Sequence, residues 1–170
     1  LNAYIDEDCT VEDFASGLGE CSFLDIQEHG IMYADEPIIC TKDLATAENI
    51  VKYSNDIFSD RVLFLTTTEE PNKSYYALTP DFFKNHYTNN ELKNTIVNIG
   101  SCEGYKNDKL VNAFKSAGAK SVLGCTDTVY TEYDYDIVDA FVYSLLSGDT
   151  VNEALKYATD IWGGDDIQWA

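Results

Sequence analysis

Two side chains in this sequence carry the chemistry of nucleophilic catalysis in fitting surroundings. Cys102 stands in Gly100-Ser101-Cys102-Glu103-Gly104, after the apolar run TIVNI, and His29 stands in Glu28-His29-Gly30, after CSFLDIQ. A thiol attacks as its thiolate and needs a base or a positive field. Imidazole, which titrates near neutrality, is suited to exchange that proton. Gly30 and Gly104 let backbone come close to a bound group, so N–H groups there are candidates to hold an oxyanion. The other histidine, His86, follows a helix opened by Thr79-Pro80-Asp81 and is expected away from the site.

A third set of groups lies further on. Asp127, Glu132, Asp134 and Asp136 alternate with Tyr130, Tyr133 and Tyr135 in residues 126–136, an expected loop after the apolar run SVLGC. Repeated carboxylates beside a nucleophile could bind a cationic substrate group through charge-assisted pairs. The same run also reads as an ordinary solvated acidic loop. Both readings stay open from the residues alone.

The elements that must position these groups follow from apolar spacing. Residues 21–27, 37–41, 61–68, 74–78, 95–100 and 121–125 read as strands, with a hairpin joining 61–68 to 74–78. Helical spacing covers 46–57, a segment opened by Thr79-Pro80, 108–117 closed by Gly118, 138–145 closed by Gly148, and one opened by the capping-box pattern Thr150 to Glu153. Strands alternating with amphipathic helices predict an α/β three-layer sandwich, a mostly parallel central sheet flanked by helices. Ligands sit at the carboxyl ends of such strands, so the candidate loops are 28–35, 100–106 and 126–136. They contain the histidine, the cysteine and the acids.

Composition narrows the partners. At 170 residues and 45% hydrophobic, the chain suits one domain spanning 1–170, with 1–20 expected at its periphery and 163–170 irregular. It starts at Leu1, and the expectation is a piece of a longer protein. Thirty acidic residues against eleven basic ones give a net charge of −19, which repels nucleic acid and anionic lipid. No run approaches the roughly 18 apolar residues of a membrane span, so no membrane insertion is expected. The five cysteines form no C-x-x-C pair and the acids no calcium-loop pattern, so no metal and no cofactor is assigned. Cys40 and Cys125 end apolar runs and read as buried small hydrophobes.

The two motifs together resemble a known family. Glu28-His29-Gly30 and Gly100-Ser101-Cys102-Glu103-Gly104 look like the His-Gly and Cys-x-Gly motifs of the caspase-like cysteine peptidases. That group includes caspases, gingipains, clostripain, legumains, separases and bacterial CHAT domains. Downstream, LVNAFKSAGAKSVLGCTDTV followed by FVYSLLSGDTVNEALKYA is similar in layout to CHAT, gingipain and clostripain-type domains. The resemblance implies a caspase-like fold and a peptide or protein substrate. It implies hydrolysis through an acyl-enzyme, with Cys102 as nucleophile, His29 handling the proton and Gly30 matching the glycine of the oxyanion hole. Several such peptidases cut after Arg or Lys, a role that Asp127, Glu132 or Asp134 would serve here. An exported or cell-surface bacterial protein is the expected setting. Two alternatives stand beside this reading: a catalytically silent caspase-like binding or scaffold module, and an unrelated α/β domain in which Cys102 and His29 do not meet.

Overall fold

Three short apolar runs become the strands that matter most. Residues 8–19 and 21–163 are described by a computed structural model. In it β1 (Phe23–Ile26), β6 (Ile96–Ile99) and β7 (Ser121–Gly124) form a parallel sheet in the order β1-β6-β7. The register places Ile26 opposite Ile99 and Ile99 opposite Gly124, so all three strands finish level at one rim. Both faces of a parallel sheet have to be covered by apolar contacts. Ile26, Val97, Ile99 and Val122 join one cluster with residues of α1 (Val11–Ser16), α4 (Pro80–His86) and α5 (Asp108–Ser116). Leu123, with Phe23 and Ile96, joins a second with α6 (Thr131–Leu146) and α7 (Val151–Trp162).

Four further strands, β2 (Gly30–Tyr33), β3 (Glu36–Leu44), β4 (Val62–Leu65) and β5 (Tyr75–Leu78), form an antiparallel sheet in the order β2-β3-β5-β4. The fold is therefore mixed α/β, and the parallel character expected of the whole sheet belongs to three strands. The reason is local. Tyr33 pairs with Glu36 across a two-residue turn in which Ala34 and Asp35 both take positive φ, 48° and 64°. A turn that tight reverses the chain and can only make an antiparallel pair. The hairpin expected from residues 61–78 is present as β4 and β5, while the short extended piece at 37–41 is part of a nine-residue strand paired on both sides.

Residues 46–57 form two helices rather than one, α2 (Ala47–Lys52) and α3 (Ser54–Ile57). The break falls at Tyr53, whose ring is buried against Tyr76 and whose hydroxyl donates to Asp43 Oδ2 at 3.0 Å. Gly118 and Gly148 close α5 and α6 with φ near +100°, as helix-ending glycines do. Thr150 and Glu153 complete the capping box of α7. Val11 and Phe14 lie in the main core, so the segment expected at the periphery contributes one face of a helix to it. Residues 1–7 and 20, and all of the expected irregular tail except Gly163, lie outside the described residues.

Candidate active site

Because β1 and β6 are parallel neighbours ending level, Gln27-Glu28-His29 and Gly100-Ser101-Cys102 leave the same rim side by side. The approach is close: a methyl group on Gly30 would overlap the Cys102 carbonyl oxygen and stand 2.9 Å from Ser101 Cβ. Only glycine fits there. His29 is exposed and Cys102 half-buried, and both line one cavity of about 240 Å³ together with Gln27, Gly100, Val129 and the Glu28–Lys42 ion pair, whose charged atoms are 3.9 Å apart.

The two glycines expected to supply oxyanion donors differ. The His29 carbonyl accepts the Cys40 N–H at 2.8 Å, which makes Gly30 and Ile39 the non-hydrogen-bonded pair of the β2–β3 ladder. The Gly30 N–H therefore points out of the ladder. Gly104 instead donates to the Ser101 carbonyl at 3.1 Å, closing a turn in which Glu103 takes a φ of 57°. Its N–H is taken up by the turn. The Cys102 N–H, by contrast, has no backbone acceptor among the described residues.

The thiol is held by one residue of the loop after β7. Val129 N–H donates to Cys102 Sγ at 3.5 Å, and Sγ lies 3.6 Å from the Val129 carbonyl. The other buried thiols are poor nucleophiles. Burial and then the Asp134 charge push Cys125 well up, and burial followed by Glu28 pushes Cys40 up to about 11. Both are buried, as the apolar runs they end indicated.

The acidic run divides. The expected loop at 126–136 becomes helix from Thr131, because Ile137 and Tyr133 carry the apolar stripe of α6 back toward it. Asp127 stays on the surface, with Oδ2 3.7 Å from Lys106 Nζ, and Glu132 is exposed; neither lines the cavity. Asp134 is fully buried beneath its floor: a methyl on Gly100 would stand 2.5 Å from Asp134 Oδ2 and 2.6 Å from Gln27 Nε2. Burial, followed by repulsion from Asp25, raises its pKa to about 6 against the lowering influence of the nearby Gln27 amide. Asp25 is also raised, mainly by burial, although Asn98 and Gln27 donate to it.

Asp25 and Gln27 were not among the expected site residues. Their signal lay in the alternation of CSFLDIQ, which puts Phe23, Asp25 and Gln27 on one face of a buried strand. Asp134 likewise sits three residues before Ile137 and seven before Phe141, on the buried stripe of α6. His86 lies elsewhere, with Nε2 3.3 Å from both Asp56 oxygens and its ring stacked 4.3 Å from that of Phe82. Among the described residues no group of three or more His, Cys, Asp or Glu is arranged to hold a metal ion, and no helix is long and apolar enough to cross a membrane.

No family model, curated protein or solved structure matches this chain.

Proposed function

We propose that this chain is a cysteine endopeptidase of caspase-like architecture, its parallel strands sandwiched between helices, acting through Cys102 and His29. The observation that supports the reading is the convergence of both residues on one cavity at the ends of adjacent parallel strands, with Gly30 packed against the Cys102 backbone. Cys102 Sγ attacks the scissile carbonyl carbon, and the carbonyl electron pair moves to oxygen, where the N–H groups of Gly30 and Cys102 can meet it. His29 removes the thiol proton and returns it to the departing amine. A water molecule, deprotonated by His29, then cleaves the thioester, releasing the acid and restoring the thiol.

The test is turnover of a panel of fluorogenic peptides carrying Arg, Lys, Asp or Asn before the scissile bond, parent chain against Cys102→Ala. Cleavage of at least one peptide, abolished in the variant, is the expected result. Absence of turnover on every peptide would favour the silent binding module.

A further inference from the structure

β4 ends the antiparallel sheet, and β5 is its one strand partner among the described residues. The Thr79 N–H donates to the Arg61 carbonyl at 3.0 Å, and the register continues with Val62 opposite Leu78, Leu63 opposite Ala77 and Phe64 opposite Tyr76. Bonded and non-bonded pairs alternate along such a ladder, so Arg61 and Leu63 direct their backbone groups at β5. Val62 and Phe64 direct theirs the other way, to the open edge, where no backbone N–H or carbonyl of the described residues meets them.

Edge strands are ordinarily guarded against further pairing by a charged side chain, a proline or a bulge. β4 has none of these: Val62–Leu65 (VLFL) is apolar throughout and in unbroken register with β5. From Arg61 to Thr68 the one charged group is Arg61, which Asp56 already holds at 2.6 Å. Apolar surface continues around the edge. Phe64 is half exposed, its ring 5.6 Å from that of Tyr76. Phe58, just ahead of the strand, is 87% exposed, the most open large apolar side chain among the described residues.

We propose that β4 is a pairing surface for a second copy of this chain, whose own β4 adds antiparallel about a two-fold axis through Leu63. The strand is self-complementary in that register. Val62 of each copy faces Phe64 of the other, and the backbone groups left open on one are answered by those of the other. Leu63 then meets Leu63, Arg61 meets Leu65 and Asp60 meets Thr66, so no like charges stand opposite. A charged strand from another protein finds no counter-charge along this edge, whereas a second copy brings an apolar strand of equal length. The net charge of −19 lies outside the strand and opposes association at long range, so added salt should tighten the dimer. The inference stands apart from the peptidase reading, since no residue of β4 lines the cavity.

The experiment is sedimentation equilibrium of the full chain from micromolar to millimolar concentration, in about 0.1 M and about 1 M sodium chloride. A reversible monomer–dimer equilibrium is expected, tighter at the higher salt. Phe64→Lys places a charge beside the two-fold axis and should weaken the dimer at least about tenfold, with the circular dichroism spectrum and melting temperature of the monomer retained. Leu63→Cys supplies a second measurement. In the proposed register the two introduced cysteines form a non-hydrogen-bonded pair with Cα atoms about 4.5 Å apart, within disulfide reach. Oxidised glutathione, which takes up the two electrons and two protons that the thiols lose, should therefore give a covalent dimer joined 63 to 63, located by mass spectrometry of its peptides. A monomer at every concentration, a dimer that Phe64→Lys leaves intact, or a Leu63→Cys chain that does not cross-link through position 63 would each overturn the proposal.

Discussion

Asp56 and Asp134 are both acids turned into the protein, and their surroundings are opposite. Asp56 receives Arg61 Nε at 2.6 Å and has His86 Nε2 at 3.3 Å, two groups supplied by neighbouring elements. Asp134 faces a second acid, an amide and a thiol. The chain thus provides a cation where a carboxylate serves the fold. For Asp134 it provides none among the described residues, and a group held at that energetic disadvantage is more typical of a working site than of a packing device.

The contrast is open to direct tests of stability. The largest effect is expected from Asp134→Asn. Its folded pKa of about 6 lies above the ordinary 3.8, so the native state binds more protons between those values and stability falls as pH rises through them. The isosteric amide should therefore gain on the order of 2–3 kcal/mol above pH 7 and nothing near pH 3, read from urea unfolding at the two pH values. A destabilised variant at pH 8 would contradict the comparison. Arg61→Met works in the other direction. It leaves Asp56 with His86 alone and should lose about 2 kcal/mol, discounted for the partial exposure of the pair.

Gly100→Ala should lose roughly 1–2 kcal/mol, because its methyl meets Asp134 Oδ2 and Gln27 Nε2 at 2.5 and 2.6 Å. Both are ends of side chains able to shift, so the loss should shrink in an Asp134→Ala background. Unfolding of the single and double variants measures that coupling. The smallest change is expected from His86→Leu, about 1 kcal/mol or less, since Arg61 still pairs with Asp56.

How far the site could be read beforehand differs between its parts for a physical reason. Cys102, His29 and Gly30 announce themselves through neighbours in sequence: apolar strand, reactive residue, glycine. Strand ends that lie level then bring them together in space. The caps of α5, α6 and α7 were legible in the same way, because a left-handed glycine or a Thr-to-Glu box is a local necessity. Asp25 and Gln27 acquire meaning only when β1 is laid beside β6, which puts Asn98 within reach of Asp25. The run at 126–136 reads as a loop because four of its eleven residues are acidic; burying the Asp134 stripe against Leu123 and Ala154 outweighs that polarity. Of the antiparallel sheet only the β4–β5 hairpin is legible, because the turn that joins β2 to β3 uses Ala34 and Asp35, where positive φ is usually signalled by glycine or asparagine.

The dyad itself is tested most directly by mass spectrometry of the chain after exposure to a peptidyl-arginine acyloxymethyl ketone and its aspartate counterpart. The expected result is one adduct on Cys102, formed faster with the arginine reagent, and slowed at least about a hundredfold in His29→Ala. Modification of Cys9 or Cys21 instead, or a Cys102 adduct that forms equally fast without His29, would contradict it.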